Sequence, residues 1–364
     1  MLFGVISVIF LGAGLTVNFL ELLAFILIRP FSLSLFRRVN AFLCYLFWSI
    51  FTWVLDYWGS QEMRIFSDED LSYEELSRFN KVAILNHRGD IDWMLGIALC
   101  DRLGILQSVK CVTKDFAKYL PTMGWNFWFS EFAFLKRKFE ADHSRLAEAA
   151  RCWNSYDFPW TLCFYPEGTR FTEEKHQKSC EYARKKGLPE LKHHLLPRTK
   201  GFNILIREFK DHVPYVYDIT FGYPHGIVTL MNLAQGQKVY ADVYLRRIPV
   251  SEIPMGSEEE TSKWLIDLFK EKDRMVDYHS IHGQFPFPLV HISTPIYPYV
   301  VMTMWALLLL VTFLWAVYGL IIAGAYWKLT MVGVTFLTAF FGLHHICMIV
   351  NRVKGSQQPK KKAT

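Results

Sequence analysis

The sequence has no Gly-x-Ser-x-Gly, no Cys-x-x-Cys and no Asn-x-Ser/Thr. The first absence leaves a serine-hydrolase reading without an anchor. The second removes zinc ribbons and dithiol redox sites; cysteines scattered at 44, 100, 111, 152, 163, 180 and 347 read as buried or idle thiols in a reducing compartment. The third accords with a cytosolic face. Charge is sparse too. Only 20% of the 364 residues are charged, and a net charge of +6 without a dense basic face excludes nucleic acid as the expected partner. No internal repeat divides the chain.

What the chain has in plenty is apolar and aromatic sequence, 52% and 16% of its residues, which allows one catalytic domain plus membrane segments. Leu2 to Ile28 is apolar except for Asn18 and Glu21. It is long enough to span a bilayer, and without a basic leader or a small-residue cleavage site it reads as an anchor. Phe42 to Trp58 is rich in Phe, Trp and Tyr, a composition that favours the bilayer interface. This second segment either forms a hairpin with the first or lies in one leaflet. Arg29, Arg37 and Arg38 favour a cytosolic loop between them. Pro298–Ala323 and Leu329–Val350 read as a transmembrane hairpin, in which His344 and His345 are a helix-packing pair. The basic tail carries Lys361 and Lys362 four and three places from the C-terminus. That is the spacing of a dilysine signal, read by a coat-protein retrieval receptor that returns membrane proteins to the endoplasmic reticulum. The expected organisation is a membrane anchor and interfacial segment over 1–60, a soluble domain over 61–290, two transmembrane helices over 291–350 and a cytosolic tail over 351–364.

In the soluble part, Val82–Leu85, Val109–Val112, the run from Thr161, Tyr215–Phe221 and Val239–Leu245 read as strands. Glu140–Cys152, Thr172–Leu188 and Glu258–Tyr278 read as helices, and Leu196–Gly201 as a turn. Strands alternating with helices predict an α/β domain with a sheet and flanking helices.

Two strand ends carry the chemistry. The run Val82–Leu85 breaks at Asn86-His87-Arg88-Gly89-Asp90, and a helical pattern resumes near Asp92. His87 and Asp92 can meet across that turn, the carboxylate holding one ring N–H and leaving the other nitrogen as a base. Taken alone, the pair reads first as a strand-end histidine and a helix-capping aspartate. The second strand ends in Tyr165-Pro166-Glu167-Gly168-Thr169-Arg170.

Together these stretches resemble the glycerolipid acyltransferase family. Its Asn-His-x-x-x-x-Asp motif is met by Asn86, His87 and Asp92, and its Pro-Glu-Gly-Thr-Arg motif by Pro166, Glu167, Gly168, Thr169 and Arg170. An aromatic residue closely followed by Arg is met by Phe134 and Arg137, and an apolar Val-Pro stretch by Val213 and Pro214. The likeness extends to the eukaryotic membrane branch with long C-terminal hairpins, that of the 1-acylglycerol-3-phosphate and lysocardiolipin acyltransferases. It implies that His87 is the general base and Asp92 its orienting partner. Arg137 and Arg170 then bind the acceptor phosphate, with Glu167, Gly168 and Thr169 shaping the substrate site. It implies acyl-CoA as co-substrate, a lysophospholipid as acceptor, membrane lipids as surroundings, and neither cofactor nor metal. Lysophosphatidic acid is the first expected acceptor; lysocardiolipin, lysophosphatidylinositol and a non-catalytic lipid-binding role are the alternatives.

Overall fold

The computed structural model describes residues 2–338 except 70, 137, 138, 329, 332 and 335–337. Two long helices lead, α1 (Leu2–Leu27) and α2 (Leu33–Trp53), the latter running on through a π-helical turn to Trp58. Then come β1 (Glu62–Phe66), α3 (Tyr73–Leu76), β2 (Lys81–Leu85), α4 (Asp92–Arg102), β3 (Val109–Lys114), α5 (Met123–Phe129), β4 (Ala133–Leu135), α6 (Phe139–Asn154) and β5 (Thr161–Phe164). The second half holds α7 (Glu173–Lys186), α8 (Thr199–Phe209), β6 (Tyr215–Gly222), α9 (Leu230–Ala234), β7 (Tyr240–Pro249), α10 (Glu258–His282), β8 (Leu289–Val290) and α11 (Tyr297–Ile322).

All eight strands form one mixed sheet in the order β4-β3-β5-β2-β6-β7-β1-β8. β4, β3, β5, β2 and β6 are parallel neighbours, whereas β7 runs antiparallel to β6. β2 is central and buried along its whole length, as a strand covered on both faces must be. Its alternate residues serve different layers. Ala83 and Leu85 pack with Leu95 of α4 and Phe47 of α2, while Val82 and Ile84 pack with Phe202 of α8 and Leu265 of α10.

The α/β class and most of the expected elements are present, with three differences. Within the expected turn at 196–201 a helix begins at Thr199; Phe202, Leu205, Ile206 and Phe209 form its buried stripe at helical spacing. The polar stretch after Gln61 opens as a strand, because β1 finds β7 on one side and β8 on the other. The third concerns residues 42–58, whose rings mostly face inward. Phe47 is fully buried, Trp48 stacks on Phe127 at 5.4 Å, and Phe51 meets Trp93 edge-on at 4.8 Å. Phe42 and Tyr57 remain exposed, and further exposed aromatics include Phe31, Tyr119, Trp125 and Trp128.

Of the arginines expected to set the loop's side, Arg37 and Arg38 dock α2 onto the domain. Arg37 pairs with Glu131 (3.0 Å) and donates to the Ser155 carbonyl, and Arg38 pairs with Asp157 (2.9 Å). At the other end Asp56 pairs with Arg102 of α4 (2.5 Å). Both ends of α2 are thus held by the same domain. Asn18 and Glu21 of α1 also point inward: Glu21 accepts hydrogen bonds from Asn18 (3.0 Å) and Asn126 (2.7 Å). The outer faces of α1 and α11 are exposed Leu, Val, Ile and Phe. By length and composition, residues 4–27, 33–58 and 297–322 can each cross a membrane, and the chain is membrane-associated. Most of the second helix of the C-terminal hairpin, with His344, His345 and the lysine tail, lies outside the described residues.

Candidate active site

Strand register brings the two motifs together. β2 and β5 are parallel neighbours with Ile84 opposite Phe164, so His87 and Glu167 each stand three residues past a paired position. Turns at the carboxyl ends of parallel strands are where α/β sheets carry ligands. On the other side of β2, Leu85 stands opposite Ile219, which places Tyr223 beside Gly89.

Asp92 begins α4 and its side chain is fully buried. Its Oδ2 accepts the backbone N–H groups of Arg88 (2.6 Å) and Gly89 (2.8 Å) and lies 2.9 Å from His87 Nδ1. Its Oδ1 accepts the Tyr223 hydroxyl. With donors on both oxygens the group is a carboxylate, so Nδ1 carries the proton and Nε2 is left with its lone pair. The His87 ring keeps 24% of its side chain exposed and lies 5.1 Å from the Tyr165 ring. Gly89 is required here: a Cβ would stand 2.8 Å from Asp92 Oδ1 and 2.9 Å from Ile227.

Glu167 is also buried. Its Oε1 accepts the His87 backbone N–H (2.6 Å) and its Oε2 that of Leu195 (3.0 Å). Burial pushes its carboxyl up to about 8, against the pull of those two N–H groups. The geometry makes Glu167 a clamp between the His87 turn and the segment at 195. Asn86 is a second clamp: its Oδ1 accepts Phe221 N–H (2.8 Å) and its Nδ2 donates to the Phe221 carbonyl (3.1 Å). Behind Asn86 lies a buried pair, His194 Nδ1 at 2.9 Å from Asp273 Oδ1, with His194 Nε2 3.3 Å from Asn86 Nδ2. Burial lowers the His194 pKa to about 4, so the ring is neutral at pH 7. Lys272, buried on α10, donates to the carbonyls of Ile84 (3.0 Å) and Ile219 (2.7 Å) and pairs with Asp218, tying β2 to β6 below the turn.

The other expected residues fall into three groups. Gly168 adopts φ +67°, a conformation that favours glycine, and Thr169 Oγ1 accepts Lys175 Nζ (2.8 Å). Arg170 stands beside the site, 3.4 Å from Asp90 and partly exposed. Phe134 lies in β4 at the sheet edge, two strands from β5, and Arg137 is outside the described residues. Pro214 precedes β6 at the opposite end of the sheet, where its carbonyl accepts Val250 N–H (2.9 Å). Tyr223, His194, Asp273 and Lys272 were not singled out from sequence. Only Tyr223 had a signal there, as the residue just past a third strand end. Among the described residues no group of three or more His, Cys, Asp or Glu side chains is arranged to hold a metal.

A family model described as acyltransferase matches residues 71–223, and one described as acyltransferase C-terminus matches residues 232–305. The chain is 37% identical over 350 residues to the 1-acyl-sn-glycerol-3-phosphate acyltransferase delta of Rattus norvegicus, covering 96% of this chain and 92% of that protein. It is 35% identical to the delta protein of Homo sapiens over the same shares. To 1-acyl-sn-glycerol-3-phosphate acyltransferase gamma of Homo sapiens it is 35% identical over 367 residues, 98% of this chain and 96% of that protein.

Proposed function

This chain belongs to the acyltransferase family, and we propose that it transfers a fatty acyl group from acyl-CoA to the free hydroxyl of lysophosphatidic acid, yielding phosphatidic acid. The observation that carries the reading is the His87–Asp92 pair: a buried carboxylate saturated with donors, holding Nδ1–H of a partly exposed imidazole whose Nε2 has no hydrogen-bond partner among the described residues. In the reaction His87 Nε2 takes the acceptor hydroxyl proton as its oxygen bonds to the thioester carbon. The tetrahedral oxyanion collapses, the carbon–sulfur bond breaks, and the leaving thiolate takes the proton back from the imidazolium. Asp92 stabilises that imidazolium while it lasts. No covalent acyl-enzyme forms.

The acceptor stays in the bilayer, and acyl-CoA arrives from water, so the site works at a membrane surface. The apolar outer faces of α1 and α11 and the exposed rings of Tyr119, Trp125 and Trp128 suit that placement. The membrane is that of the endoplasmic reticulum, with the catalytic domain cytosolic and Lys361 and Lys362 engaging the retrieval coat. The test is transfer of labelled acyl-CoA by the purified chain in mixed micelles to a panel of lysophospholipids. Labelled phosphatidic acid is expected, and it should fall by about 10²–10⁴-fold in His87→Ala. Wild-type label confined to lysocardiolipin or lysophosphatidylinositol would replace the acceptor; no label at all would sink the reading.

A further inference from the structure

The reaction proposed above joins two phosphate-bearing substrates, and the site's cations are unequally committed. Arg170 faces Asp90 at 3.4 Å, and Lys175 donates to Thr169 Oγ1 and to the Arg170 carbonyl. Arg198 is different. It is exposed, and its guanidinium has no hydrogen bond or ion pair among the described residues. Its backbone is nonetheless fixed. Arg198 N–H donates to the Pro166 carbonyl (2.8 Å), and the strap leading to it is tied down residue by residue. Asp273 accepts Lys192 N–H (2.8 Å) and His193 N–H (2.7 Å), Glu167 accepts Leu195 N–H (3.0 Å), and Ser179 Oγ accepts Leu196 N–H (2.9 Å). Glu167 is the residue that also grips His87 N–H, so the strap and the catalytic turn move as one body.

The Arg198 side chain lies across Gly168. A Cβ on Gly168 would stand 3.1 Å from Arg198 Cδ, 3.2 Å from Nε and 3.5 Å from Cζ. The glycine of the Glu-Gly-Thr-Arg turn therefore leaves a seat for this arginine as well as meeting its own positive φ. A seated, uncompensated guanidinium one turn from the base presents a planar fork of donors, the geometry that matches a phosphate. We infer that Arg198 binds a substrate phosphate, through its seat on Gly168. The inference rests on the acyltransferase reading, and the shared chemistry, a phosphate monoester, has two sources: the head of lysophosphatidic acid and the 3′-phosphate of acyl-CoA.

Steady-state kinetics of the full chain in mixed micelles separates them. Arg198→Gln is expected to raise one KM by about tenfold, with kcat within about twofold and Arg198→Lys in between. If the ligand is the acceptor head, the KM for lysophosphatidic acid rises and the preference for it over monoacylglycerol, which lacks the phosphate, shrinks by the same factor. If the ligand is on the donor, the KM for acyl-CoA rises and the preference for it over the dephospho form shrinks. Gly168→Ala, which crowds the seat, should raise the same KM. The inference is overturned if neither KM moves more than twofold in Arg198→Gln, or if only kcat falls. A wild-type chain that acylates no lysophospholipid would overturn the underlying reading first, and this one with it.

Discussion

Asp92→Asn tests the site's design most sharply, because the fold decides how the amide must sit. Three donors converge on Asp92 Oδ2: His87 Nδ1 at 2.9 Å, Arg88 N–H at 2.6 Å and Gly89 N–H at 2.8 Å. An asparagine that turned its NH₂ toward them would set donor against donor at two buried backbone amides, at about 1–3 kcal/mol for each group left unsatisfied. The opposite orientation leaves the carboxamide oxygen on all three and the NH₂ beside the Tyr223 hydroxyl, which can rotate to accept. The fold and the His87 tautomer are then kept, and only the charge is lost. An opposite charge at hydrogen-bond distance is worth about 1.4–4 kcal/mol to a protonated imidazole, so kcat should fall roughly tenfold to a thousandfold. A ring driven into the wrong tautomer costs about 10⁴-fold in the serine proteases, the outcome expected if nothing fixed the amide. The assay is initial-rate acylation of lysophosphatidic acid by the full chain, beside His87→Ala. Residual activity clearly above His87→Ala is expected. Activity as low as that variant, or a loss near 10⁴-fold, would refute the claim that the two backbone amides fix the amide's orientation.

Two further expectations follow from buried groups. The folded-state pKa of His194, about 4, lies below its ordinary 6.5, so between those values the unfolded chain holds more protons and stability rises with pH. The contribution is complete above about pH 6.5 and is lost as pH falls toward 4, to a total of about 3 kcal/mol. The gap in Tm between wild type and His194→Gln should therefore narrow as pH falls across that window, and a constant gap would mean that His194 titrates alike in the folded and unfolded chain. Separately, residues 61–290 without α2 should fail to fold cooperatively, although the sequence reads them as a self-sufficient domain. Burial of Phe47, Trp48, Ile50, Phe51 and Leu55 at about 1.5–3 kcal/mol each rivals the roughly 5–15 kcal/mol of a whole domain. A sharp unfolding transition in the 61–290 fragment, followed by circular dichroism, would contradict this.

Much of the molecule was legible before any coordinates. Short apolar runs ending in polar turns marked β2 and β5, because a strand buried on both faces has to be apolar throughout and has to stop where water begins. The His87–Asp92 contact was legible too, since five residues of turn are a local matter. The long apolar helices α1 and α11 followed from length and composition alone. Tertiary structure decided the rest. Whether the rings of 42–58 face lipid or protein depends on a partner surface, and Phe127, Phe132 and Trp93 supply it from distant sequence. The grip of Glu167 on the His87 amide comes from the register of β2 against β5, which no local pattern records. Pro214 seemed part of the site until strand direction sent it to the far end of the sheet. Tyr223, His194 and Arg198 stand 136, 107 and 111 residues beyond His87 along the chain, and no local pattern encodes such pairings. Periodicity records which residues must leave water, whereas the choice of partner is made by sheet order and register, which exist only once the chain has folded.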